Sequence, residues 1–237
     1  MNVFESTKNW LNELKIPFMA YDQVDSTNNQ AKAYGSSQAE ELKVFLTDQQ
    51  THGRGRGSHS WTSPSKGSSL MISWSYRLFE PPQHITGPLF GLHLLNATKK
   101  SWPQYNWSIK PPNDLYLNDK KVAGLLVETL SQGDRFILII GLGFNATSQP
   151  DNIEDSGHLP KQTNLNEYQW REFLNFLHAE FQHSVKKCVD PSLSNKDQNA
   201  LIDALNDFPD KPDNIIDISP SGDITYANGK KLSWQDL

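Results

Sequence analysis

The sequence predicts an α+β chain built around a mixed or antiparallel sheet, and three features carry that prediction. Two hairpin patterns follow one another: Leu115 to Leu117 turns through Asn118-Asp119-Lys120 into Lys121 to Leu130, and Ser131-Gln132-Gly133-Asp134 turns into Arg135 to Gly141. Ser69 to Leu78 reads as a further long strand. Apolar residues recur at helical spacing in His84 to Lys100 and in Leu165 to Cys188, too regularly for connecting loops.

The remaining elements are placed by their stop signals. Val3, Phe4, Trp10, Leu11 and Leu14 share one face of a short helix that Pro17 ends. Pro17 to Val24 is a strand, and Asp25-Ser26-Thr27-Asn28 offers side-chain oxygens to cap a helix running to Tyr34 and closed by Gly35. Leu42 to Thr47 is a second strand. Asp48 to Lys66 is polar, rich in glycine and too long for an ordinary connection, which marks it as a functional loop. Trp107 to Lys110 is a strand stopped by Pro111-Pro112-Asn113-Asp114. A helical pattern near Asn199 to Phe208 lies within Asp190 to Asp213, whose Asp, Asn, Ser and Pro content makes it the best linker candidate. Ile215 to Trp234 reads as short strands with turns at Ser219-Pro220-Ser221-Gly222 and Ala227-Asn228-Gly229. A main domain over residues 1–190, and a linker with a small or truncated β unit over residues 191–237, follow from this division.

Composition limits the function. Hydrophobic residues make up 36% of the 237 and aromatic residues 11%, enough for one substantial core. The net charge of −5 lacks the basic footprint of a dedicated nucleic-acid binder. The single cysteine, Cys188, has no internal disulfide partner, which fits a reducing cytoplasm. The first residues lack a basic stretch followed by an apolar one, and nothing approaches a membrane span, so a soluble, unexported, cytoplasmic chain without a membrane partner is expected.

The richest chemistry lies in Gln49 to Trp61, where Arg54 and Arg56 alternate with Gly53, Gly55 and Gly57. Glycine lets backbone amides approach an anion, and guanidinium groups bind phosphate or carboxylate in bidentate fashion. Composition alone fits equally well an Arg-Gly segment touching RNA or solvent. Lys110 to Asp114 is a rigid turn ending in an amide and a carboxylate, and by itself only a turn. Lys121-Val122-Ala123-Gly124 opens a strand with a lysine followed by small residues, where a ligand or another backbone comes close. Gly141-Leu142-Gly143-Phe144-Asn145 ends an apolar strand, with Asn145 starting a loop, and it lacks the third glycine of a dinucleotide fingerprint. His52 and His59 have no carboxylate or cysteine at ligand spacing, so no tight metal site is expected.

In this order, VDSTN (Val24 to Asn28), GRGRG…W (Gly53 to Trp61), KPPND (Lys110 to Asp114), KVAGLLVE (Lys121 to Glu128) and GLGFN (Gly141 to Asn145) resemble the biotin protein ligase family. The resemblance is firm from Tyr21 to Asn145 and looser to Cys188. It implies an α+β catalytic domain with a mixed, mainly antiparallel sheet flanked by helices. The implied reaction activates biotin with ATP to biotinyl-5'-adenylate, with Mg2+ accompanying the nucleotide. Biotin then passes to a lysine of a biotin carboxyl carrier protein, that of acetyl-CoA carboxylase or a related carboxylase.

Residue by residue, the resemblance implies that Ser26, Thr27 and Gln50 hold the ureido ring of biotin or shape its pocket. Gly53, Arg54 and Arg56 fall in the ligand-ordering loop, with Arg54 near the acyl phosphate, while Gly124 and Gly141 line the pocket and Trp61 and Lys121 are further biotin-side residues. Arg56 and Lys121, with Arg54, are the expected catalytic residues, and Arg56, Asn113, Asp114, Lys121 and Asn145 match nucleotide-side positions. Two departures stand out: Ser58 and His59 replace a glycine and a third arginine, and Pro111 replaces a tryptophan, a loss for which Trp61 and Trp107 are candidate replacements. VDSTN begins at Val24, which leaves no room for the N-terminal DNA-binding helices of some members, so no DNA partner is expected. Members range from monomers to dimers, so a homodimer is compatible. The competing readings are a lipoate or octanoate ligase or transferase on the same fold, and a non-enzymatic RNA-binding protein.

Overall fold

The computed structural model describes residues 1–237 except Ser36, Gln38, Ala39, Ser192, Asp210, Pro212, Pro220 and 235–237. The proposed linker and C-terminal turn therefore fall partly outside the described residues. In chain order the elements are α1 (Val3–Glu13), β1 (Phe18–Tyr21), α2 (Thr27–Gly35), β2 (Leu42–Thr47), β3 (Gly53–Arg54), β4 (Ser60–Trp61) and β5 (Ser69–Leu78). There follow α3 (Thr86–Ser101), β6 (Trp107–Lys110), β7 (Asp114–Leu117), β8 (Lys120–Gln132), β9 (Arg135–Asn145) and α4 (Glu167–Lys187). The chain ends with α5 (Asn195–Asn206), β10 (Ile215–Ile218), β11 (Asp223–Tyr226) and β12 (Lys231–Ser233).

Seven strands form one sheet in the order β1-β2-β5-β9-β8-β7-β6. Only β1 and β2 run parallel; every other neighbouring pair is antiparallel, so the mixed, mainly antiparallel sheet expected from the hairpins is present. Because side chains alternate along a strand, each long strand divides its residues between two faces. Leu70, Ile72 and Trp74 of β5, with Ile140, Leu142 and Phe144 of β9, join the main core under α1, α3 and α4. There Trp102, Phe144, Trp170 and Phe173 pack at ring separations of 5.0 to 6.2 Å. Such rings carry large apolar areas and interlock in tilted contacts, which fixes the helices on the sheet.

The opposite face carries Ser73 and Ser75 of β5 beside Gly141 and Ile139 of β9. Against it α2 packs through Ala31 onto Phe45, Ile137 and Ile139, a smaller apolar cluster that covers only part of the face. The uncovered part, floored by glycines of β8 and β9, is where the site forms.

Three expectations need correction. Strand β9 continues through Asn145, which is its last residue rather than the first of a loop. Residues 48–66 contain a two-stranded ladder, β3 paired with β4, because Gly53 and Arg54 bond back to Trp61 and Ser60. The linker candidate holds α5, whose Leu201 and Leu205 are fully buried against the main core. Asn206 bonds both Ile215 main-chain groups, at 2.8 Å each, and so ties α5 to the three-stranded β10-β11-β12 sheet. No helix of the described residues is long and apolar enough to cross a membrane.

Candidate active site

A cavity of about 710 Å³ opens on the serine and glycine face of the sheet. Its floor depends on missing side chains. A Cβ on Gly141 would stand 2.1 Å from Asn28 Oδ1, and one on Gly143 would stand 2.4 Å from the Trp61 ring. Both lie inside van der Waals contact, so bare backbone on β9 is what allows α2 and the β3-β4 ladder to approach the sheet. Trp61 accordingly lies on Gly143.

At one end the start of α2 meets Gln50. A backbone bridge joins Val24 to Gln50, and the Thr27 N–H donates to Gln50 Oε1 at 2.8 Å. Asp25 accepts from the Asn29 and Gln30 side chains, which holds its carboxyl below the usual carboxylate range.

At the other end the Lys121 main chain is bracketed by a segment beyond β9. Its N–H donates to Asp155 O at 2.7 Å, and its carbonyl accepts from Gly157 N–H at 2.8 Å. The Lys121 ammonium lies 2.7 Å from Asp114 Oδ2. A register shift in the β7-β8 pairing between Leu115 and Tyr116 accompanies this arrangement, and such bulges re-aim nearby side chains. Gly124 leaves room for the pair, since a Cβ there would stand 3.2 Å from Asp114 Oδ1. Asn113 Nδ2 donates to Leu125 O. Asn145 donates to Ser156 Oγ and Gly157 O at 3.1 Å each, while its buried Oδ1 has no partner among the described residues.

The two loop arginines differ. Arg54 forms a two-pronged pair with Glu128, at 3.0 and 2.8 Å, and also donates to Asn29 Oδ1. Arg56 borders the cavity and donates to the Trp234 carbonyl at 3.4 Å, a contact between the loop and the C-terminal unit.

The cavity thus gathers Ser26, Thr27, Gln50, Arg54, Arg56 and Trp61. It also gathers Asn113, Asp114, Lys121, Gly124, Gly141 and Asn145, so residues expected from distant stretches share one hollow. Gly53 is the exception. It lies behind the ladder, where a Cβ would stand 2.3 Å from Trp61 O, so its part is to let β3 and β4 close. Trp107 cannot replace the missing aromatic wall, because it is buried in the core with its Nε1 donating to Trp102 O. Among the described residues, no three His, Cys, Asp or Glu gather in a way that could hold a metal ion.

Sequence reasoning missed Asn28 and Glu128 as site residues, though both stand inside quoted motifs. It also missed Ser73, and Pro150, Ile153 and Asp155, which form part of the wall. Ser73 had a usable signal: serine alternates with bulky apolar residues along β5, marking the face turned away from the main core.

Glu128 gathers four donors. Burial alone pushes its carboxyl up, and hydrogen bonds from Lys32, Asn28 and Arg54 outweigh that, leaving it below 4.5. A carboxyl lowered in the folded state stabilises the fold above its unfolded value and loses that effect as pH falls through the folded one. Wild type is therefore expected to melt higher than Glu128→Gln at neutral pH, with the gap closing below pH 4.5. Thermal midpoints across a pH series check this; a gap that widens in acid rules it out.

These observations define an α+β protein with one cavity lined by Arg56 and Lys121 as well as by the polar Thr27 and Gln50. The sequence pattern of the biotin/lipoate A/B protein ligase family matches residues 20–145, more than half of the chain, and the chain belongs to that family. Among curated relatives, the Escherichia coli bifunctional ligase/repressor BirA is 36% identical over 139 residues, covering 56% of this chain and 41% of that protein. The human biotin–protein ligase is 35% identical over 120 residues, 46% of this chain and 16% of that one. The chain thus spans less than half the length of these relatives. Among solved structures, the Aquifex aeolicus biotin protein ligase in complex with biotin and ATP aligns with a TM-score of 0.69 at 23% identity, covering 91% of this chain and 95% of that one. The Leishmania major enzyme in complex with biotin aligns at 0.59 with 21% identity, over 91% and 96% of the two chains, and at these identities the likeness speaks to fold.

Proposed function

We propose that the chain is an ATP-dependent biotin–[biotin carboxyl carrier protein] ligase. The observation that carries the proposal is that one cavity is lined both by the polar Thr27 and Gln50 and by the cationic Arg56 and Lys121. A biotin ring placed against the first directs its carboxylate toward the second, where a triphosphate meets fixed cations.

In the first step a carboxylate oxygen attacks the α-phosphorus of ATP, forming the acyl phosphate bond while the bond to the β-phosphate oxygen breaks and pyrophosphate leaves. Two anions must meet, and charge builds on the phosphorus oxygens and on pyrophosphate. Arg56 and Lys121 offset that charge from positions fixed before the reaction. In the second step a carrier lysine amine attacks the acyl carbon, and AMP departs with its charge against the same cations. Arg54, held by Glu128, acts as a strut for the loop that carries Arg56.

Mg2+ fits the nucleotide end by donor chemistry, because the unpartnered Asn145 Oδ1 and the nearby Asp114 and Asp155 carboxylates offer oxygen ligands suited to a hard cation. Bound there with the phosphates, it would add charge neutralisation. The acceptor is proposed to be a biotin carrier domain of acetyl-CoA carboxylase or a related carboxylase, and the compartment the cytoplasm.

Exchange of labelled pyrophosphate into ATP, run separately with biotin, lipoate and octanoate, tests the substrate. Exchange with biotin alone is expected. Exchange with lipoate but not biotin would replace this reading with the lipoate one.

A further inference from the structure

Beneath the polar end of the cavity, a line of side chains runs across the sheet from Glu128 to Thr27, and its hydrogen-bond directions follow from counting protons. Asn28 Nδ2 lies 2.9 Å from Glu128 Oε2 and 3.3 Å from Leu126 O. Both are acceptors only: Leu126 O is a main-chain carbonyl, and Glu128 is an anion facing Lys32 and Arg54 at 2.6 and 2.8 Å. The Asn28 amide must therefore turn its NH2 toward them and its oxygen toward Ser73.

Ser73 is fully buried, and its Oγ stands 2.6 Å from Asn28 Oδ1 and 2.7 Å from Thr27 Oγ1. Two oxygens that close need a proton between them, and Asn28 Oδ1 has none to give. The single Ser73 hydroxyl proton is therefore committed to Asn28. The contact between Ser73 and Thr27 then needs the Thr27 proton. The alternative, Thr27 donating to Gln50 Oε1 at 3.3 Å, leaves the 2.7 Å contact without a proton.

We propose that Glu128, Asn28 and Ser73 are positioning residues that hold the Thr27 hydroxyl proton away from the cavity, so that Thr27 meets the ligand only as a hydrogen-bond acceptor. Gln50 is the complement. Its Oε1 accepts from the Thr27 N–H, and its Nε2 has donors to spare. An acceptor beside a donor matches a cyclic urea, which offers N–H next to C=O, and mismatches a ring that offers only acceptors at the same place. The inference rests on the biotin reading and adds to it which residues set ligand specificity by acting through Thr27.

The test uses calorimetry on the full chain with biotin and with the two carbamate analogues in which one ring N–H is replaced by oxygen. Wild type is expected to bind one analogue more weakly than biotin by on the order of 100-fold, because an oxygen then faces the Thr27 lone pairs. In Ser73→Ala the Thr27 proton is released and can turn to that oxygen, so the ratio is expected to fall to about 10-fold or less. Glu128→Gln, which lets the Asn28 amide reverse, is expected to lower the ratio as well. A purely structural part for Ser73 would weaken both ligands together and leave the ratio unchanged, and that result overturns the inference while the biotin reading stands. If the alanine variant does not fold, Thr27→Val removes the acceptor itself: a ratio near unity supports the inference, and a ratio held at the wild-type value overturns it. Failure of wild type to bind biotin at all removes the underlying reading and this inference with it.

Discussion

Lys121→Ala and Arg56→Ala are each expected to lower biotin-dependent pyrophosphate exchange by at least about 100-fold in a protein that keeps its fold, the usual effect of deleting one preorganised charge partner. The Lys121 variant has a second cause of loss. Its ammonium lies 2.7 Å from Asp114, so removing it leaves an uncompensated carboxylate where the phosphates must approach. Adding Asp114→Asn to Lys121→Ala should relieve that repulsion without restoring the missing cation, so exchange should recover only in part. Circular dichroism establishes folding in each case. Exchange at the wild-type rate in either single variant would remove that residue from the reaction.

Gly141→Ala carries the second large expectation. The added methyl lands 2.1 Å from Asn28 Oδ1, against an amide fixed on its other side by Glu128 and Leu126 O. Either α2 lifts from the sheet or Asn28 changes partners, and both move Thr27. Overpacking of this kind costs about 1 to 3 kcal/mol of stability. Biotin affinity should fall by on the order of 100-fold, because a ring held by directional hydrogen bonds tolerates little displacement. Gly91→Ala in α3 is the control. Its methyl would sit 3.7 Å from Ile109 Cδ1, an ordinary contact, and alanine suits a helix better than glycine. Equal losses of affinity at the two positions would show that the argument from β9 is wrong.

The scaffold was largely legible in the amino-acid pattern. Strands β2, β5 and β6 fall on the expected residues because their apolar runs are bounded by turns or prolines. Strand β9 overran its expected end because Gly-x-Gly reads locally as punctuation; only the approach of Asn28 and Trp61 explains why glycine belongs inside that strand. Helix α5 was expected near Asn199 to Phe208, but its docking was obscured by the polar composition around it, since burial of Leu201, Ala204 and Leu205 against the core is a tertiary effect that propensity does not register. At the site, the motifs identified residues that reach the cavity, with Gly53 the exception. Their partners were not readable. That Arg54 faces Glu128 across 74 positions, or that Asp155 brackets Lys121, follows from how strands pair, and one sequence carries no record of that.

Cys188 closes α4 from within the core, with burial pushing its thiol up to about 12. Thiolate is the species that attacks maleimides and iodoacetamides, and at neutral pH this sulfur is both protonated and out of reach. The folded surface therefore offers no native sulfhydryl to such reagents among the described residues. A cysteine introduced on the Arg54 to Trp61 loop would be the one place for a dye to attach, making the loop's own motions accessible to fluorescence without first engineering the rest of the chain.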